Sequence, residues 1–333
     1  MKKANVAFFI PHVGCPNRCS FCNQNTISGE NCVPSVDSIK ETLDSTVSSM
    51  DKNVLKSSEI AFFGGSFTAI DKNLMLEFLA CVQQYIGENG FCGIRVSTRP
   101  DAIDDEILDL LKKYRVTSIE LGAQSMSDDV LLKNMRGHAA SDVFEASSLI
   151  KKHGFSLGLQ MMTGLYGDTA QGAVETAKKI IEIKPDTVRI YPTVVLKGTH
   201  LAKLYAEGVY NPPSVEETVS LCAKLLNMFE ENDIKVIRVG LHDQPGLKEN
   251  FVAGAYHAAL GELIMGEQMF LKALSALKEA KIQGGEVYFA VNPSNLSQMI
   301  GQKKCNLNRF SKMGYKVSVK ADNSVKIKHL KVI

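Results

Sequence analysis

The sequence predicts an α/β fold built on a parallel sheet, and three observations predict it. Short apolar runs alternate with amphipathic segments through the first two thirds of the chain. Some runs, such as Ile60-Ala61-Phe62-Phe63, are apolar throughout, which suits strands covered on both faces. Polar and glycine-rich motifs follow these runs, at the strand ends where α/β proteins carry their chemistry. Alternation alone admits either a barrel or a doubly wound sheet.

In chain order, strands are expected at 6–10, 59–63, 93–97, 117–121, 156–162 and 187–191. Helices are expected at 36–50, 74–85, 104–114, 141–153, 172–183 and 215–232, each from apolar residues at helical spacing. In the first helix these are Val36, Ile39, Leu43, Val47 and Met50. The pattern changes near Gly240. Residues 242–249 read as a loop, and 251–280 as a small-residue-rich, mostly helical stretch. A last unit reads strand (286–291), helix (294–300), helix (306–313), strand (316–320). The domains expected are therefore 1–240, 241–280 and 281–333.

Composition narrows the class. With 333 residues, 45% of them hydrophobic and 22% charged, the chain can bury a large core. This excludes a disordered tail, a collagen-like fibre and a small disulfide scaffold. No apolar run approaches the ~20 residues that span a bilayer. The short apolar stretch after Lys2 and Lys3 is broken by Pro11 and His12, so it reads as a strand and not a signal peptide. A cytoplasmic protein with no membrane segment and eight reduced cysteines is expected. The net charge of +2 is a cancellation. From Gln302 onward nine Lys and Arg face one acid, a balance of +8, and the rest of the chain carries −6. A basic end on an acidic body points to a polyanionic partner.

The strongest chemical signal is Cys15-Pro-Asn-Arg-Cys19-Ser-Phe-Cys22, in the loop after the first strand. Thiolates ligate iron–sulfur clusters. Three of them around a [4Fe–4S] cluster leave one iron open, able to chelate S-adenosylmethionine. A structural zinc site is the alternative, with Cys32 as fourth ligand, but the C-x3-C-x2-C spacing is unusual for zinc. Cys81, Cys92, Cys222 and Cys305 are scattered and read as ordinary thiols.

With these residues in view the chain resembles the radical S-adenosylmethionine superfamily. Within it the sequence is similar to the catalytic subunit of Elongator and its archaeal and bacterial relatives. The likeness rests on the three cysteines and on FFGGSFTAID (62–71), STRPDAID (97–104), IELGAQSMSDDVLLKNMRGHAASDV (119–143), MMTGLYGDT (161–169) and RIYPTVVLKGTHLAKLYAEGVY (189–210). The resemblance implies a partial (βα)6 TIM-like barrel that holds a [4Fe–4S] cluster on Cys15, Cys19 and Cys22, together with S-adenosylmethionine. It implies reductive cleavage to a 5′-deoxyadenosyl radical, with electrons from a donor such as ferredoxin or flavodoxin. It sets Gly64, Gly65 and Ser66 at the amino group of S-adenosylmethionine, and Ser97 and Arg99 at its ribose or carboxylate; the alternatives are a plain strand-end turn for the glycines and a surface salt bridge for Arg99. Glu120 and Gln124 fall to ribose hydroxyls and a polar cofactor edge, and Arg136 to the carboxylate. Glu120 can equally point outward, since alternate strand residues face opposite sides. His138 reads as a polar group at a helix start, and Tyr191 either faces substrate or packs in the core.

Two departures matter. The tight cysteine spacing looks more like oxygen-independent coproporphyrinogen oxidase, which usually has a further Cys where this chain has Gln24. No acetyl-CoA phosphate loop is apparent after Gly240, so acetyl transfer by this chain alone is not expected. The segments 239–242 and 253–263 resemble the C-terminal region of the same family, with His257 and Glu262 as barrel-lining groups or a buried pair. The last unit resembles a KH-like β-α-α-β module, whose Gly-x-x-Gly loop clamps a nucleic-acid backbone. Here that loop is Gly301-Gln302-Lys303-Lys304, with lysine in place of the second glycine. The expected function is a radical enzyme acting on tRNA or other RNA through Lys303 and Lys304. The alternatives are the same chemistry on a small metabolite such as a tetrapyrrole, or a non-catalytic RNA-binding protein with a structural metal cluster.

Overall fold

Continuous apolar runs bury on both faces, and here they build the first sheet. A computed structural model describes residues 5–16, 18–29, 32–241 and 245–333. Its strands are β1 (Val6–Ile10), β2 (Glu59–Gly64), β3 (Gly93–Thr98), β4 (Val116–Gln124), β5 (Ser156–Thr163), β6 (Thr187–Pro192), the short β7 (Val194–Leu196) and β8 (Lys235–Val239). Seven of them form one sheet in the order β1-β2-β3-β4-β5-β6-β8, every pair parallel. The sheet is the partial barrel expected, extended by β8.

Each crossover supplies a helix whose apolar stripe covers the outer face. Ile39 and Leu43 of Val36–Ser49 are fully buried, as are Leu108 and Leu111 of Asp105–Lys113. Caps fix where these helices start. The Asp104 carboxylate accepts from the Ile107 N–H at 2.8 Å, and the Thr169 hydroxyl from the Gly172 N–H at 3.0 Å. On the outer face Phe62 stacks on Phe67 and Phe78, with centroids 5.0 and 5.8 Å apart. On the opposite face Phe63 meets Phe9 at 6.2 Å and lies under the Arg189 guanidinium at 5.1 Å.

The chain divides into two compact units. One takes the residues up to Pro212 together with Asn232–Gly254, and the other takes Pro213–Glu231 with Ala255–Ile333. The division expected at Gly240 and at residue 280 is thus drawn elsewhere. The helix Val215–Glu231 joins the C-terminal unit, and the segment from Ala255 is continuous with the last strands. The stretch expected to be mostly helical from 251 begins instead with β9 (Phe251–Gly254), antiparallel to β7. Its helix starts only at Leu260.

In the second unit β10 (Gly285–Val291) is central. It pairs in parallel with β11 (Tyr315–Ala321) and antiparallel with β12 (Leu330–Val332). Between β10 and β11 run the short helix Leu296–Ile300 and the helix Cys305–Lys312, the β-α-α-β order expected. Phe270, Phe289, Met299 and Phe310 fill the core beneath. Glu230 accepts from Gln268, Lys272 and Lys328 at 2.8, 2.7 and 2.6 Å. Burial alone would raise its carboxyl, but the two ammonium groups leave it below the ordinary value. His257 and Glu262 are both exposed, so the buried pair is not formed. His242 lies outside the described residues.

Candidate active site

The loop leaving β1 carries the three cysteines, and the glycine doublet ending β2 holds that loop down. Gly65 N–H donates to the Ile10 carbonyl at 2.7 Å, and Ser66 N–H to the Val13 carbonyl at 3.0 Å. Gln24 donates its side-chain amide to the Gly64 carbonyl at 3.0 Å, and its backbone N–H to His12 at 3.0 Å. Gly64 adopts φ 111°, a region that favours glycine. A Cβ at Gly65 would overlap the Val13 carbonyl oxygen. The far side of the loop is tied by Ser20, whose N–H and hydroxyl donate to Asn134 at 3.1 and 2.7 Å.

Cys19 is buried, and Cys15 and Cys22 are half-buried; all three are free thiols. Burial, followed by Cys19, raises the Cys15 thiol. Burial, then Cys19 and Cys15, pushes Cys22 up to about 12. The three sulfurs therefore feel one another, and each would give up its proton to a bound cation. Among the described residues no group of three or more His, Cys, Asp or Glu side chains is gathered closely enough to hold a metal ion. Cys32 is exposed and free.

Around the thiols lie the ends of β3 and β4. Arg136 donates Nη1 to Cys19 Sγ at 3.1 Å and Nη2 to the Gly122 carbonyl at 2.6 Å. Arg99 forms a two-point ion pair with Asp101 at 2.8 and 2.7 Å. Burial lowers its pKa, but Asp101 and then the Cys19 and Cys15 thiols leave it above the ordinary value. Ser66 hydroxyl meets Thr98 at 2.8 Å and accepts from the Arg99 N–H at 3.2 Å, joining β2 to β3. Gln124 ends β4 at φ 64°, where the register with β5 shifts. Strained backbone of this kind persists where surroundings fix it, often at functional sites.

Four of these side chains are more than nine-tenths buried and still carry polar atoms without a partner. They are Arg99 (Nη1), Gln124 (Oε1), Arg136 (Nε) and His138 (Nδ1 and Nε2). The His138 ring lies beside the Ala123 carbonyl without hydrogen-bond geometry. Burial, then Arg136 and Arg99, lowers its pKa to about 4, so the ring is neutral at pH 7. Unpartnered buried polar atoms are costly and call for an occupant. Guanidinium donors beside an amide oxygen suit a zwitterion, with carboxylate on the arginines and ammonium on the glutamine. Three thiols on one loop beside such a cradle are the donor types that an iron–sulfur cluster and an amino acid ligand require.

Glu120 and Ser97 lie elsewhere. Glu120 is 1% exposed and points across the inner face of the sheet. Its oxygens meet Arg95 at 3.0 Å, Arg189 at 2.7 Å and Gln160 at 2.9 Å. Ser97 accepts from the same Gln160 at 3.3 Å. With its carboxylate fully engaged, Glu120 is not left for ribose hydroxyls. Arg95, Gln160 and Arg189 were missed in the sequence. Their signal was single polar residues at alternate positions of otherwise apolar strands. Lys303 and Lys304 are exposed in the second unit and adopt φ 51° and 63°. Lys304 thus takes the left-handed backbone that the missing second glycine would favour.

The family model described as the Radical SAM superfamily matches residues 9–180, and the Radical_SAM C-terminal domain matches residues 185–269. An uncharacterised protein of Methanocaldococcus jannaschii is 30% identical over 224 residues, 64% of this chain and 68% of that protein. The tRNA uridine(34) acetyltransferase of the same organism is 32% identical over 172 residues, 51% of this chain and 31% of the relative. Elongator complex protein 3 of Saccharomyces cerevisiae is 30% identical over 188 residues, 50% of this chain and 34% of the relative. The chain therefore spans about a third of the length of these last two. Among solved structures, the archaeal Elp3 of Methanocaldococcus infernus shares the fold. Its TM-score is 0.62 at 19% identity, covering 84% of this chain and 63% of that one. Among the described residues no helix is long and apolar enough to cross a membrane.

Proposed function

This chain belongs to the radical SAM superfamily, and from that premise we propose an enzyme that uses a [4Fe–4S] cluster and S-adenosylmethionine to act on RNA, tRNA above all. The observation that carries the reading is Arg136, which donates to Cys19 Sγ while its Nε stays buried and unpartnered. One guanidinium thereby links the thiol loop to the zwitterion cradle. Cys15, Cys19 and Cys22 would hold the cluster. When bound and reduced by a donor such as ferredoxin or flavodoxin, the cluster supplies the electron that cleaves S-adenosylmethionine for hydrogen abstraction. The chain's own work is positioning. Arg99 and Arg136 take the methionyl carboxylate, and Gln124 the ammonium. Gly64, Gly65 and Ser66 keep the cysteine loop seated, and the neutral His138 adds polarity without charge.

The RNA target is supported by relatives named for tRNA uridine(34) and for Elongator, and by the +8 balance after Gln302. Lys303 and Lys304 would neutralise phosphates without reading sequence. The test is anaerobic reconstitution, dithionite reduction and assay for 5′-deoxyadenosine. Full cluster loading with no 5′-deoxyadenosine would sink the enzyme reading and favour a structural cluster. Product formation without salt-sensitive tRNA binding would turn the reading to a small metabolite.

A further inference from the structure

The inner face of the sheet carries a ladder of charge across five neighbouring strands. Glu59 on β2 meets Arg95 on β3 at 2.7 Å, and also accepts from Thr117 and Ser118 at 2.7 and 2.5 Å. Arg95 meets Glu120 on β4, which meets Gln160 on β5 and Arg189 on β6. Gly158 stands beside Glu120 in register, and a Cβ there would come within 2.8 Å of Glu120 Cγ. The missing side chain is what lets Glu120 lie across β5 to Arg189.

The ladder runs one strand further without an acid. Arg189 and Arg238 are register partners on parallel strands β6 and β8, so they project from the same face. Arg189 has Glu120 and the Phe63 ring. Arg238 has its Nε on the Gly240 carbonyl at 3.1 Å, and among the described residues no carboxylate meets it. Three arginines thus face two glutamates. Arg238 is half-buried, and burial is the chief cause that lowers its pKa, with Arg189 adding to it. Tyr191, within electrostatic reach of both arginines, accepts from Arg189 Nη1 at 3.5 Å. Burial raises the Tyr191 pKa, so its hydroxyl keeps a proton to donate. The face around Arg238 offers Nη1, Nη2 and a phenolic O–H. All are donors, a set that matches an oxyanion and neither a cation nor a neutral amine.

We propose that Arg238, with Tyr191, is the point at which the inner face of the sheet binds an oxyanion of the substrate. The proposal rests on this sheet being the substrate chamber. It is read out without cluster or S-adenosylmethionine, so its failure and that of the radical reading are separable. The experiment is thermal unfolding of the full chain in inorganic phosphate, acetate or chloride at equal ionic strength. Phosphate or acetate should raise Tm above chloride by about 5 °C at a hundredfold excess over the dissociation constant. A response to phosphate assigns a phosphate ester, and a response to acetate a carboxylate. Arg238→Gln should abolish the increment and, by relieving the repulsion with Arg189, raise Tm in chloride. Arg238→Lys should keep part of the increment, Tyr191→Phe should reduce it, and Lys303→Glu with Lys304→Glu should leave it intact. No increment over chloride overturns the proposal. So does an increment that survives in Arg238→Gln, or one lost with the two lysines.

Discussion

Replacing Glu120 by Gln keeps the shape of the ladder's central rung and removes its charge. Arg95 would keep Glu59 at 2.7 Å, but Arg189 would lose its carboxylate and retain the Tyr191 hydroxyl at 3.5 Å and the Phe63 ring at 5.1 Å. The balance among Glu59, Arg95, Glu120, Arg189 and Arg238 would move from one excess positive charge to two. At an effective dielectric of ~20, unit charges ~4 Å apart attract by about 4 kcal/mol. Breaking a buried pair from one side costs about 3–5 kcal/mol, because the survivor is left desolvated. Glu120→Gln should therefore destabilise by about 3–5 kcal/mol, or roughly 6–15 °C in Tm for a unit of this size. With no Trp in the chain, far-UV circular dichroism in urea is the suitable readout. Glu120→Gln with Arg189→Gln should recover much of the loss, because neutral amides can hydrogen-bond to each other. A loss under about 1 kcal/mol, with no recovery in the double variant, would refute the reasoning. The inner face would then be wet, and the ladder screened.

Other outcomes follow from the site. Cys15→Ser, Cys19→Ser and Cys22→Ser should each remove most bound iron on reconstitution, while Cys32→Ser leaves it unchanged; iron and sulfide analysis decides. Gly65→Ala should unseat the cysteine loop and lower iron retention more than it lowers Tm, because its Cβ overlaps a backbone oxygen that only a loop shift can clear. For His138 the folded pKa of about 4 lies below the ordinary imidazole value of about 6.5, because the ring is buried beside Arg136 and Arg99. The unfolded chain thus binds the proton first, and stability held above pH 6.5 falls as pH drops toward 4. The loss is on the order of 3 kcal/mol, and His138→Gln should show less of it in urea unfolding followed across pH. Lys303→Glu with Lys304→Glu should lower the slope of log affinity against log salt for tRNA by about 1.5, measured by filter binding.

Much of the partial barrel was legible because its strands bury both faces and so read as unbroken apolar runs. The seventh strand was not, because Lys235-Val-Ile-Arg-Val239 carries charge and Lys235 and Ile237 are exposed at the sheet edge. β9 escaped because four residues of Phe251–Gly254 carry no periodicity, and only pairing with β7 makes them a strand. The cysteine loop announced itself by spacing alone. The partners of Arg136 did not, since Cys19 and Gly122 lie 117 and 14 residues away. Glu120 was visible as a carboxylate on a strand. Its work was not, because that depends on Arg95 and Arg189 arriving from two other strands.

Gly64-Gly65-Ser66 shows where specificity has to come from. Two of its N–H groups and the Gly64 carbonyl are engaged in seating the cysteine loop, and the Ser66 hydroxyl in joining β3. The motif is required before any ligand arrives, because without it the thiols have no fixed position. What remains unpartnered and buried is on side chains, those of Arg99, Gln124, Arg136 and His138. On the proposed reading the small ligand would therefore meet groups from β4 and the loops after β3 and β4, while the glycines seat the cysteine loop. Below them the ladder from Glu59 to Arg189 closes on itself, and Arg238 is left over. Among the described residues no carboxylate meets that guanidinium, and an oxyanion from outside the chain would supply the missing partner.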